Sequence, residues 1–159
     1  MAEFSGRPIP VGRVGIVVSR YNQVITSKLL DGAQQCCRDS GVPEGEVDVI
    51  WAPGAFELTV CCAAAAATGR YACLVALGAI IRGGTPHFEY VAGATSHGLV
   101  AVSAEYRVPV GFGVLTVDSM AQATARAGGQ AGNKGYEAAD AAIRSADVIS
   151  RLRSTDAEA

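Results

Sequence analysis

Four short apolar runs, each followed by a stretch with helical periodicity, restrict this chain to a narrow group of folds. The first run, Arg13 to Ser19, is rich in Val and Ile and shows no apolar–polar alternation. A strand covered on both faces reads this way, whereas a half-buried strand would alternate. A helical pattern follows from Asn22 to Ser40, with Ile25, Leu29, Leu30, Ala33, Cys36 and Cys37 on one side, and Gly41 stops it. Asp48 to Ala52 is a second strand. Pro53-Gly54 then turns the chain into a helix that carries Phe56, Val60 and Ala64 at i, i+4 spacing and ends at Gly69. Cys73 to Ile81 is a third, continuously apolar strand. The loop Arg82 to Pro86 leads into a helix from Phe88 to Tyr106, with Val91, Ala94, Leu99, Val102 and Tyr106 near one stripe. Val110 to Thr116 is a fourth strand. Asp118 or Ser119 can cap a short helix to Ala127, Gly128 to Gly132 is a break, and a last helix runs from Asn133 to Leu152 with Ala139, Ile143, Ala146 and Leu152 inward.

Four strand–helix alternations with short connections predict an α/β fold: a four-stranded parallel sheet with helices on both faces, a three-layer sandwich. The predicted organisation is an N-terminal extension (1–12), one α/β domain (13–152) and a polar tail (153–159) expected to fray. Charged residues make up only 18% of the 159 and apolar residues 50%, which excludes disorder for the bulk of the chain. A net charge of -2 provides no basic stripe for nucleic acid. No apolar stretch is long enough to span a membrane, and Met1 to Pro10 lacks the apolar core of a secretory signal, so a cytoplasmic protein is expected. The five cysteines include no C-x-x-C and are read as small buried hydrophobes.

Ligands of parallel sheets sit beyond the carboxyl ends of the strands. That rule singles out Ser19 to Gln23, Ala52 to Glu57, Ala79 to His87 and Phe112 to Ser119. Gly83-Gly84-Thr85 enters a helix with little side-chain bulk, so backbone N–H groups and the helix dipole there can hold a phosphate. The loop is neither a Walker A nor a G-x-G-x-x-G sequence, and by itself reads equally well as a plain turn. His87 follows it directly, as a solvated loop residue or as an imidazole that can both take and give a proton. Glu57 is placed in the first turn of its helix, as a dipole partner or an acceptor for ligand hydroxyls. Tyr21 and Phe112 are assigned to the ends of the first and fourth strands, as core aromatics or as faces for a flat heterocycle. Arg126 and Lys134 flank the glycine-rich break; Arg126 is a charge at a helix C-terminus or a grip on a phosphate through two N–H groups, and Lys134 reads as a solvated head.

Taken together, Pro53-Gly54-Ala55-Phe56-Glu57, the run Gly78 to Val91, Phe112-Gly113-Val114-Leu115-Thr116, and Arg126-Ala127-Gly128 leading to Ala131-Gly132-Asn133-Lys134-Gly135 resemble the lumazine synthase family of riboflavin biosynthesis, in the family's order. The similarity covers Arg13 to Leu152. It implies a flavodoxin-like sandwich that condenses 5-amino-6-ribitylaminouracil with 3,4-dihydroxy-2-butanone 4-phosphate to give 6,7-dimethyl-8-ribityllumazine, phosphate and water. By the same resemblance Tyr21, with Asn22 beside it, and Phe112 contact the pyrimidine. Ala55, Phe56, Glu57, Ala79, Ile80 and Ile81 bind its ring and ribityl chain. Gly84, Thr85 and Arg126 hold the phosphate, His87 moves protons, and Lys134 is a supporting charge. No cofactor or metal is implied.

The resemblance further implies a homopentamer with the site between subunits, Phe112, Arg126 and Lys134 coming from one chain and Tyr21, Glu57 and His87 from its neighbour. The short Gly128 to Gly132 connection is similar to that of members that build 60-subunit icosahedral shells, and riboflavin synthase is an implied partner. Position 21 holds Tyr where the family often has Phe or Trp. Gln130 stands where many members carry Lys, which leaves more of the anion binding to Arg126. Two other readings stay open on the residues alone: a flavin- or lumazine-binding module without turnover, and a shell protein with a vestigial pocket.

Overall fold

The computed structural model describes residues 1–157. Four parallel strands, β1 (Val14–Ser19), β2 (Val47–Ala52), β3 (Cys73–Ile81) and β4 (Val110–Val117), form a sheet in the order β2-β1-β3-β4. The register pairs Val14 with both Val47 and Cys73, and Leu74 with Val110. The period of two splits each central strand between two cores. Val14, Ile16 and Val18 of β1, with Val75, Leu77 and Ala79 of β3, pack against helices α1 (Gln23–Asp39) and α5 (Lys134–Ala157). Val17, Leu74, Ala76 and Ile80 pack on the other face against α2 (Leu58–Ala67) and α3 (His87–Tyr106). Both sides of each strand are therefore apolar, which is why the runs show no alternation. The three-layer sandwich follows from the strand–helix alternation, and it is flavodoxin-like, as the resemblance implies.

The inward stripes of three helices differ from the expected ones. α2 starts at Leu58 and buries Leu58, Cys62, Ala65 and Ala66. The predicted stripe faces the other way, with Phe56 61% and Val60 64% exposed and Ala64 exposed. The i, i+4 spacing is genuine, but an alanine-rich helix has apolar residues on every side, so periodicity does not select the covered one. α3 buries Thr95, Leu99 and Val102, and Ala94 is exposed. In α5, Ala139, Ile143 and Ala146 are buried as expected, but Leu152 is 44% exposed.

Ser119 caps α4 (Met120–Arg126) by accepting a hydrogen bond from the Gln122 amide at 3.2 Å. The expected break is a small antiparallel hairpin, β5 (Ala127–Gly129) with β6 (Gly132–Asn133). Gly128 (φ 97) and Gly132 (φ 76) take left-handed backbone that a side chain would strain. α5 continues through Ala157, so the tail is helical where fraying was expected, and residues 158–159 lie outside the described part.

The N-terminal segment is tied to α5. Arg7 donates to the buried Asp147 from its backbone N (3.1 Å), Nε (3.2 Å) and Nη2 (2.9 Å), and Arg144 Nη1 donates to Gly6 O at 3.1 Å. Those bonds, with help from Arg151, pull the Asp147 carboxyl down to about 2. All five cysteines are free thiols, and burial pushes Cys36 up to about 11 and Cys62 and Cys73 to about 12. Such thiols stay protonated and unreactive, as small hydrophobes would be.

Candidate functional site

Three strand outlets converge on one open cavity of about 760 Å³. β1 leaves the sheet at Ser19, and Arg20 N and Tyr21 N donate to Ala52 O (2.8 Å) and Pro53 O (3.1 Å), which holds the first outlet against the second. Tyr21 projects into solvent with 73% exposure. Asn22 caps α1 in the left-handed conformation, φ 59 and ψ 44, and its Nδ2 donates to Ala79 O at 2.8 Å. Past Leu77, β1 no longer pairs with β3, and the Asn22 amide supplies a donor there. Asn22 thus joins two walls of the cavity.

At the second outlet Ala55 is buried, and its carbonyl accepts a hydrogen bond from Thr95 Oγ1 of α3 at 3.3 Å. Phe56 is exposed. Glu57 occupies the N-cap position of α2, one residue before its first turn, with no side-chain cap bond, so its carboxylate is free for a ligand. At the third outlet Ala79 and Ile80 are buried and Ile81 is half-buried. The loop beyond them is bare: an added Cβ at Gly83 or Gly84 would meet nothing within 4 Å. His87 opens the 20-residue helix α3, exposed, with its amide 3.5 Å from Thr85 Oγ1. Backbone N–H groups of the first turn of a helix are unpaired within it, so this end of α3 offers donors and a positive dipole end to an anion.

The cavity is lined by Tyr21, Asn22, Ala55, Phe56, Glu57, Ala79, Ile80, Ile81, Thr85 and His87. Except for Phe112, these are the residues that the resemblance assigns to the pyrimidine, together with the proton carrier and part of the phosphate loop. Gly54, Gly83, Phe88, Tyr90 and Val91 line it as well. Tyr90 was legible in principle: it lies three residues after His87, hence on the same helix face, and is 76% exposed.

Gly84, Phe112, Arg126 and Lys134 are not in the lining. Phe112 does not end β4. It is the third residue of that strand, level with Ala76, and faces a separate groove of about 280 Å³ with Pro109 and Ile149. The predicted strand, Val110 to Thr116, agrees with β4 to within one residue, and Phe112 is its third residue in both, so an outlet position does not follow from those bounds. Arg126 Nη1 donates to Gln122 O at 3.1 Å, and Lys134 Nζ pairs with Glu137 at 2.8 Å. Within one chain, then, the cavity holds an imidazole, a carboxylate, a hydroxyl and aromatic faces, and lacks the cation. Among the described residues no cluster of His, Cys, Asp and Glu is arranged to hold a metal ion.

Among the described residues no helix is long and apolar enough to cross a membrane. A family model described as 6,7-dimethyl-8-ribityllumazine synthase matches residues 12–150 of the chain.

Proposed function

Since the chain belongs to the 6,7-dimethyl-8-ribityllumazine synthase family, we propose that it catalyses that family's condensation at the cavity above His87. Membership makes it a transferase of riboflavin biosynthesis that works on small molecules and assembles as an oligomer. The proposed substrates are 5-amino-6-ribitylaminouracil and 3,4-dihydroxy-2-butanone 4-phosphate.

The 5-amino group attacks the ketone, and water leaves to give an imine. A proton is removed from the adjacent carbon, and phosphate departs with the C–O bonding pair, leaving an enol that takes up a proton at its terminal carbon and becomes a ketone. The ribitylamino nitrogen then closes the ring on the carbonyl so formed, and a second water leaves. Proton transfers recur at neighbouring atoms, which suits one imidazole acting in turn as base and acid; help of this kind is worth about 10²–10⁴-fold. His87 fills that role. Glu57 accepts from ribityl hydroxyls, Tyr21 and Phe56 present ring faces to the pyrimidine, and the N–H groups of Gly84 and Thr85 cradle the phosphate. Holding two substrates in register supplies much of the remaining acceleration.

The observation that carries this reading is a cavity with the imidazole and the glycine loop at one wall and exposed aromatic residues at another, but with no cation in its lining. Arg126, Lys134 and Phe112 of an adjoining subunit complete it in the proposed homopentamer. The outward stripe of Phe56, Val60 and Ala64 supports such a contact, because a folded monomer rarely leaves large apolar residues aligned in water. Twelve such rings form the proposed 60-subunit shell in the cytoplasm, with riboflavin synthase as partner.

Incubating the purified protein with both substrates tests the reading. Lumazine fluorescence should appear with one phosphate released per product. Tight binding of the pyrimidine without product would favour a carrier instead. Sedimentation showing only pentamers would refute the shell.

A further inference from the structure

Arg82, the first residue beyond β3, is absent from the cavity lining, yet its guanidinium bonds two carboxylates and lies over an aromatic ring. Nε donates to Asp118 Oδ1, just past the end of β4, at 2.9 Å. Nη1 donates to Glu89 Oε1 in the first turn of α3. The guanidinium carbon lies 4.2 Å from the centre of the Phe88 ring. Three points are therefore fixed by one side chain: the end of β4 and two residues immediately after His87. By contrast, the loop between Arg82 and His87 has little to hold it. An added Cβ at Gly83 or Gly84 would meet nothing within 4 Å, and the side-chain bond within the loop is the long contact from His87 N to Thr85 Oγ1.

We propose that Arg82 is a positioning residue for His87, bracing the first turn of α3 against the outlet of β4 so that the imidazole and the glycine loop keep one arrangement; its catalytic consequence rests on the reaction proposed above. An arginine beside a candidate phosphate loop invites the opposite reading, that it grips the anion itself. The charge balance opposes this. One guanidinium faces two carboxylates, Glu89 and Asp118, so the cluster is net negative and its fork is already occupied. The pairs are also exposed, with side-chain accessibility of 44% for Arg82, 55% for Glu89 and 68% for Asp118. Exposed pairs add little to global stability. The brace acts on geometry, and its loss should be felt in turnover rather than in melting.

Three variants test this: Arg82→Ala, Arg82→Lys and Glu89→Gln. Amide hydrogen exchange of residues 83–90, measured on the whole oligomer, should quicken about tenfold or more in all three, while exchange in the body of β3 stays unchanged. Lysine should not rescue, because an ammonium cannot bond both carboxylates and stack on Phe88 together. Steady-state kinetics should show kcat lower by about 10–100-fold with both KM values within about twofold, the signature of a misplaced reacting group. Two results would overturn the proposal. One is unchanged exchange in Arg82→Ala. The other is a raised KM for the phosphate substrate at normal kcat, with Arg82→Lys largely active, which would make Arg82 an anion ligand. Exchange needs no turnover, so it decides the brace even if the wild-type protein forms no lumazine, a result that would count against the proposed reaction alone.

Discussion

Substitutions at Asn22 separate two contributions that the structure places on a single residue. The backbone there is left-handed, and the side-chain amide ties α1 to Ala79 O at 2.8 Å. Alanine loses both. The left-handed conformation costs an ordinary L-residue about 1–2 kcal/mol, and the lost hydrogen bond about 1 kcal/mol. The sum is roughly 2–3 kcal/mol for Asn22→Ala. Glycine takes the same backbone without steric cost, so Asn22→Gly forfeits the bond, about 1 kcal/mol, plus about 0.5–1 kcal/mol of extra chain entropy. Alanine should thus be the worse of the two by about 1 kcal/mol, or roughly 2–4 °C in Tm for a chain of this length. Melting must be compared at one protein concentration, because assembly couples to stability. The same series has a functional arm. Tyr21 is the next residue back, and the bond to Ala79 sets its distance from the opposite wall. Both variants should therefore raise the KM for the pyrimidine substrate more than that for the phosphate substrate. Equal melting temperatures for the two variants would refute the conformational part. An unchanged pyrimidine KM in Asn22→Gly would refute the positioning part.

Three further outcomes are expected. His87→Ala should lower kcat by about 10²–10⁴-fold, and unchanged turnover would remove the imidazole from the proton transfers. Val60→Asp, on the outward face of α2, should leave the monomer fold intact and shift sedimentation to smaller species; retained assembly would mean that this stripe is not a subunit contact. Asp147 is held at about 2 against an ordinary 3.8, chiefly by the Arg7 side chain. A depressed folded-state value contributes stability above the unfolded value, and that contribution fades as pH falls through the folded one. The wild type should therefore exceed Asp147→Asn in urea midpoint at neutral pH, with the gap closing between about pH 4 and 2. A gap independent of pH would contradict the linkage.

The sheet was legible because parallel strands buried on both faces leave little room for polar residues. The runs from Arg13 and Cys73 could hardly be anything else. The outlets were legible for the same reason: where such a strand stops, the loop beyond it is the first place where Tyr21, Glu57, Thr85 or His87 can reach solvent. The hairpin from Ala127 to Asn133 was not legible as strand, since three residues paired with two carry no periodicity, and glycines that signal a turn also signal a break. Asn22 was marked only as part of the outlet Ser19 to Gln23 and through resemblance. Its left-handed backbone and its reach to Ala79 depend on how far β1 extends beside β3, which no local pattern encodes.

The misread stripe on α2 and the exposure of Phe112 have one physical origin. Periodicity reports that an apolar face exists; it does not report whether the same chain or another covers it. Phe56, Val60 and Ala64 meet the helical pattern as well as Leu58 and Cys62 do, yet only the second set touches the sheet. Phe112 sits half exposed on an edge strand, away from the cavity that a flat heterocycle would enter. A monomer gains nothing by leaving these side chains in water, whereas a second copy laid against them would exclude water from the stripe and bring a ring and a cation toward His87. The apolar surface left over by the fold and the missing wall of the cavity are, on this view, one requirement, and Val60→Asp should then depress turnover along with assembly even though Val60 itself is absent from the cavity lining.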